Sequence, residues 1–188
     1  MAESYAELAD LKRMRRITDT TDDDLLTRVL SVASRRIDAR TNRRFWLDPT
    51  PVARVFGTAG RVTPDGRLLI DDIGAVDGLV VETGSGTSWS AFTGYELGPA
   101  NSLAEGWPYT ELSGSWADAR VQVTARWGWP AVPEDIAMAT LLLASRLYLR
   151  KDSPEGVLAS AEFGSIRVSR WDPDVEALVA PYVQPKSA

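Results

Sequence analysis

Apolar residues recur at helical spacing near both ends of this chain and at strand spacing through its middle. Leu8 and Leu11, with basic residues between them, predict a short helix within Tyr5–Arg16, and the Thr- and Asp-rich stretch Ile17–Asp24 reads as a polar turn. Leu25, Leu26, Val29, Leu30, Ala33 and Ile37 then fall on one face of a second helix, with Thr21 and Asp24 in capping-box spacing at its start. From Phe45 to Trp127 the period shortens. Runs at Pro51–Phe56, Arg67–Ile70, Val76–Glu82, Trp89–Phe92 and Ala119–Arg126 predict strands, separated by glycine-bearing turns at Gly57–Gly60, Pro64–Gly66 and Thr83–Gly86.

The β pattern stops at Arg126-Trp127-Gly128-Trp129-Pro130, where Gly128 and Pro130 break the ladder. Pro133 suits the first position of a third helix, and Glu134 and Asp135 put negative charge at the positive end of its dipole. Ile136, Ala139, Thr140, Leu143 and Leu147 line one face of that helix, while Met138, Leu141, Leu142 and Tyr148 carry apolar surface nearly all the way round. Such a helix needs cover on more than one side, and a neighbouring subunit is the expected second cover. Lys151–Gly156 reads as a turn and Val157–Arg170 as a hairpin turning at Phe163-Gly164-Ser165. Asp172 as N-cap and Pro173 at the first position open a last short helix carrying Val175, Leu178 and Val179 toward Pro181. The fold class expected is α+β: a small α-helical bundle of about three main helices plus a short C-terminal helix and hairpin, with an inserted antiparallel β domain. The helical core is expected to be discontinuous, in residues 1–44 and 133–188, with the β-rich insertion at 45–132.

Composition narrows the chemistry. At 188 residues, 44% hydrophobic and 25% charged, the chain can build the core of a soluble globular protein. It has no cysteine and no histidine, which removes disulfides, thiolate nucleophiles, cysteine or histidine zinc sites and a serine-histidine-acid triad. The absence of cysteine also suits a chain made in a reducing cytosol. No catalytic residue, metal site or cofactor is expected. No signal-peptide pattern opens the chain, and the apolar stretch Ile136–Leu149, interrupted by Ser145 and Arg146, is too short to span a bilayer.

The net charge of −5 is unevenly spread. Residues 1–44 hold ten basic and eight acidic side chains, 45–132 five and ten, and 133–188 six and eight. A protein that grips duplex DNA presents a basic surface, and this chain as a whole does not. The arginines Arg35, Arg36, Arg40, Arg43 and Arg44 close the second helix, where they suit its dipole or offer a contact to an acidic partner or phosphate. Gly84-Ser85-Gly86 lacks the Gly-Lys-Ser/Thr of a phosphate loop and reads as a hairpin turn. Asp22-Asp23-Asp24 and Asp71-Asp72 lack calcium-loop spacing, so helix capping accounts for the first and a turn for the second. Six of the seven tryptophans lie in or beside the β section. Trp89, Trp107 and Trp116 are expected to bury apolar area, the other use of such rings being a stacking platform.

The order of these pieces resembles a known family. Two N-terminal helices ending in an arginine-rich segment before an aromatic, a β insertion, Trp127-Gly128-Trp129-Pro130-Ala131-Val132-Pro133-Glu134-Asp135-Ile136 leading into an Ala/Leu helix, and Leu147-Tyr148-Leu149-Arg150 are similar to the head-to-tail connector (adaptor, or head-completion) proteins of tailed double-stranded DNA phages. Ser153-Pro154-Glu155-Gly156-Val157 and the Gly164-Ser165-Ile166-Arg167-Val168 to Asp172-Pro173 ending resemble the family's C-terminal region. The resemblance implies a non-enzymatic ring of about twelve copies under the portal of the virion, at the capsid-tail junction, made in the host bacterial cytoplasm. The portal protein and a tail-side neck protein (stopper or tail-terminator) are its implied partners. Genomic DNA would pass without sequence-specific binding, past an acidic or neutral lining that repels phosphate, and no membrane is involved. The implied subunit interface draws on Leu26, Val29, Leu30, Met138, Leu142, Leu143 and Leu147, and the implied portal contact on Trp171, Val175, Leu178, Val179 and Tyr182.

Two other classes fit parts of the pattern. A Trp-rich carbohydrate-binding or host-recognition β module would behave as a soluble monomer whose tryptophan fluorescence responds to glycans. An enzyme would need carboxylates of displaced pKa in a pocket, among Asp71, Asp72, Glu82 and Glu96.

Overall fold

The structure, a computed structural model, describes residues 4–85, 87–151 and 172–184. The predicted hairpin Val157–Arg170 and the residue Trp171 lie outside them. Two compact units are present, one formed by Met1–Arg43 and Val132–Gln184, the other built on Arg44–Ala131.

The helical unit contains α1 (Leu8–Arg15), α2 (Asp23–Thr41), α3 (Glu134–Leu149) and α4 (Pro173–Val179), the last running into a single 3₁₀ turn, Ala180–Tyr182. α2 and α3 pack on each other, and α1 and α4 each touch both. The apolar spacing of α2 explains this: Leu26, Leu30, Ala33 and Ile37 are all buried along one side. The predicted capping box at Thr21 and Asp24 does not form. Asp22 is the N-cap, its side chain makes no cap hydrogen bond, and its carboxylate instead accepts from the Tyr148 hydroxyl at 2.5 Å and from Lys151. A charge-assisted bond to a neighbouring helix has won over a local cap. α3 starts one residue later than predicted, because Pro133 has an extended backbone (ψ 146°) and serves as N-cap. At α4 the predicted start holds: Asp172 accepts from the Asp174 N–H at 2.9 Å and Pro173 opens the helix.

The other unit is one antiparallel sheet of β1 (Val52–Gly57), β2 (Arg67–Ser85), β3 (Ser88–Ala91), β4 (Tyr95–Gly98), β5 (Tyr109–Gly114) and β6 (Arg120–Trp127). Its order is β1-β6-β2-β5-β4, with β3 paired to β2. The runs predicted as two strands at Arg67–Ile70 and Val76–Glu82 are one long strand. Its first part pairs with β5 and its second with β6 and β3, and the register shifts between Ala75 and Val80, where Gly78 takes φ 72°. Asp71 and Asp72 therefore lie within β2 and not in the turn expected for them. β4 and β5 were not predicted, since β4 buries only Gly98 and β5 only Leu112. β6 alternates as predicted, and Val121, Val123, Ala125 and Trp127 join Phe56, Leu68, Ile70, Ile73, Val81 and Leu112 in the core.

The corner after β6 is built on Gly128, whose φ of 111° no other residue adopts readily. A Cβ there would overlap the Trp46 carbonyl. Turning at Gly128 brings Trp129 against Phe45 and Trp107, with ring centroids 5.1 and 4.9 Å apart, and points its Nε1–H at Asp72 Oδ2, 3.0 Å away.

Candidate interaction surfaces

The residues expected at a subunit interface separate into two groups. Leu26 and Leu30 of α2 and Leu143 of α3 are at most 7% exposed and fill the helical unit's own core. Val29, Leu142 and Leu147 are half-buried, and Met138 is 45% exposed. Met138 and Leu142, one helical turn apart, form an apolar edge on α3 that Leu149, also exposed, extends. Exposure is the signal missing from the sequence, which marks all of these positions as apolar alike.

The C-terminal positions point mostly inward. Val175 and Val179 are fully buried and Tyr182 nearly so, while Leu178 is half-buried. Polar ties hold this segment to the other helices: Asp172 pairs with Arg146 at 2.7 Å, Glu176 with Arg40, the Tyr182 hydroxyl donates to Asp135 at 3.2 Å, and the Gln184 N–H donates to the Thr41 carbonyl at 2.8 Å. Burial, with the nearby Asp135 carboxylate, raises the pKa of the Tyr182 phenol, so it stays a donor at neutral pH. The sequence placed Asp135 at the dipole of α3 and Arg146 as an interruption of its apolar stretch, with no sign of these partners or of Glu176.

The arginines diverge as well. Arg35 pairs with Asp38 at 2.6 Å, Arg40 with Glu176, and Arg44 with Asp48 at 2.6 Å. Arg43 is half-buried, and Arg36 is exposed with no ion pair among the described residues. Three of the five are therefore committed to intramolecular pairs, which accounts for their number without invoking phosphate. Near the start of α2, the Lys151 ammonium and the Tyr148 hydroxyl hold the Asp22 carboxyl below its usual range.

In the sheet, Asp71 pairs with Arg54 at 2.6 Å, Asp72 is buried on the Trp129 indole, Glu82 accepts from Gln122 at 2.8 Å, and Glu96 is exposed. Each carboxylate has a different environment. No group of three or more acidic side chains among the described residues is placed to hold a metal ion. Trp116 packs on the sheet core and donates from Nε1 to the Gly66 carbonyl at 3.0 Å, Trp89 is half-buried, and Trp107 remains 37% exposed. Among the described residues the fully buried tryptophans are Trp127 and Trp129, which flank Gly128 at the corner.

These features define an α+β protein in which a helical unit is interrupted in sequence by an antiparallel sheet. Residues 5–75 match the family described as phage gp6-like head-tail connector protein, so the resemblance seen in the N-terminal helices and the arginine-rich segment holds. The motifs from Trp127 onward lie outside that span. A chain from the neck of an empty GTA particle, computed with C6 symmetry, shares the fold: 17% identity, TM-score 0.56, and coverage of 97% of this chain and 91% of that one. No curated protein matches. The match covers the N-terminal helices and the first part of the sheet unit. Among the described residues no helix is long and apolar enough to cross a membrane.

Proposed function

We propose that this chain forms a closed ring at the capsid-tail junction, seated under the portal and continuing the DNA channel toward a tail-side neck protein. The observation that carries this reading is the connector-family match over residues 5–75. The solved neck of similar fold was computed with C6 symmetry, which agrees with repeated copies around an axis. The copy number expected is about twelve. Ring contacts fall on the positions left uncovered by the subunit itself: Met138 and Leu142 on α3, with Val29 and Leu147 beside them. Portal contact falls on Leu178 and the outward side of α4, since Val175, Val179 and Tyr182 are occupied within the unit. Genomic DNA passes without being gripped, because residues 45–132 carry twice as many acidic as basic side chains.

Mass measurement of the purified protein with and without portal tests this. Discrete multimers on the portal are expected, and a chain that stays monomeric and indifferent to portal overturns the reading. Imaging of assembled virions gives the second check, through density for this chain between capsid and tail.

A further inference from the structure

We propose that neighbouring copies join by seating the outer face of α2 of one copy on the open face of the β sheet of the next. This rests on the ring reading above, and it adds to the α3 edge a second contact, between two unlike surfaces, that sets the register of the ring. A cyclic ring needs two different, complementary patches on every copy.

The first patch is on the sheet. Residues directly opposed in an antiparallel ladder share a face. Ala53, Thr124 and Val80 make one row across β1, β6 and β2, and Val55, Gln122 and Glu82 make the next, continued by Ala91 of β3. The opposite face is the apolar core, yet this one also presents aliphatic side chains: Val55 is 50% and Val80 46% exposed. Two carboxylates flank Val80 along β2. Asp77 is exposed in the irregular stretch before it, and Glu82 follows it, with neither in an ion pair among the described residues.

The second patch is on α2. Val32 is 41% exposed, and Arg28 and Arg36, one turn before and one turn after it, are exposed with no ion pair among the described residues. They differ in this from Arg35 and Arg40, which are paired. The dimensions agree. Arg28 and Arg36 stand about 12 Å apart at ~1.5 Å of rise per residue. Asp77 and Glu82 span up to about 16 Å at ~3.3 Å per residue, less where the chain bulges. On the same face of β6, Arg120 is exposed beyond Gln122 and Arg126 is tied to the Asp48 carbonyl, so the acidic patch is local to Val80. There each patch has a valine between two like charges, and the signs are opposite, so valine meets valine while each arginine reaches a carboxylate. Such pairs fix register and steer encounter. The wider charge distribution runs the same way, with residues 1–44 net basic and 45–132 net acidic.

The chain contains no cysteine, so a disulfide between Val32→Cys and Val80→Cys reads this contact cleanly. Both positions are surface-exposed, and circular dichroism verifies that each variant folds. Copies carrying only V32C are mixed with copies carrying only V80C, assembled on portal and oxidised. Covalent dimers are expected in the mixture, none with either variant alone, and a ladder of multimers with the double variant. Arg28→Glu with Arg36→Glu should weaken assembly by at least about tenfold, and Asp77→Lys with Glu82→Lys in the same chain should restore it. Rings of normal mass without the disulfide overturn this contact and leave the ring reading intact. V80C linked to portal or to a tail-side protein also overturns it, and absence of any wild-type ring removes both.

Discussion

α3 offers a direct separation of folding from assembly, because Leu143 and Met138 lie on the same helix with opposite exposure, 7% against 45%. Leu143→Ala deletes buried methyl groups packed within the helical unit, and a leucine truncated at such a site typically loses about 3 kcal/mol. For a chain of this length each kcal/mol moves the midpoint by about 2–4 °C, so a drop of roughly 6–12 °C is expected. Met138→Ala removes a side chain already half in water, and under about 1 kcal/mol is at stake. Differential scanning fluorimetry on the two variants gives the first readout. The second is Met138→Asp, which should fold and melt like the parent yet fail to form rings on portal, since a carboxylate would be buried without a partner. Two results would refute this reasoning: a Leu143→Ala midpoint within a degree or two of the parent, or full ring assembly by Met138→Asp.

Gly128→Ala should destabilise the sheet unit by about 2–5 kcal/mol, combining left-handed backbone strain with a clash on the Trp46 carbonyl, and loss of tryptophan near-UV dichroism would report it. Trp129→Phe removes the N–H donated to Asp72 and should cost about 1.5–3 kcal/mol in a denaturant titration, more than an ordinary aromatic exchange. Asp22 has a depressed carboxyl pKa, so its contribution is present above the unfolded value of about 3.9 and fades as pH falls through the lower folded value. Asp22→Asn should therefore melt below the parent at pH 7, the gap closing in acid, and an unchanged gap at low pH would remove this account.

Much of the fold was legible where one physical signal dominated. The three- and four-residue spacing of Leu26, Leu30 and Ile37 gave α2, and Asp172-Pro173 gave the start of α4. Alternation in β6 gave a half-buried strand. β4 and β5 escaped because Tyr95–Gly98 and Tyr109–Gly114 are short and present few apolar side chains at period two. Thr21 and Asp24 misled because a local capping pattern carries no word of Tyr148 and Lys151, more than a hundred residues away, which engage Asp22 instead. The same limit governs the surfaces. Leu143 and Met138 are equally apolar in the sequence, and only packing against α2 and α4 tells which of the α3 side chains are spent inside the unit.

The hydrogen bond from the Gln184 N–H to the Thr41 carbonyl joins segments separated by the entire sheet unit in the order of synthesis. During translation, α2 emerges early with Leu26, Leu30 and Ile37 uncovered, while α3 and α4, which shield them, leave the ribosome only after β6. The sheet, whose strands are contiguous in sequence, can close first. The helical unit is therefore the last part of the molecule to be completed, its two halves held apart by the length of the sheet until the C-terminal segment is made.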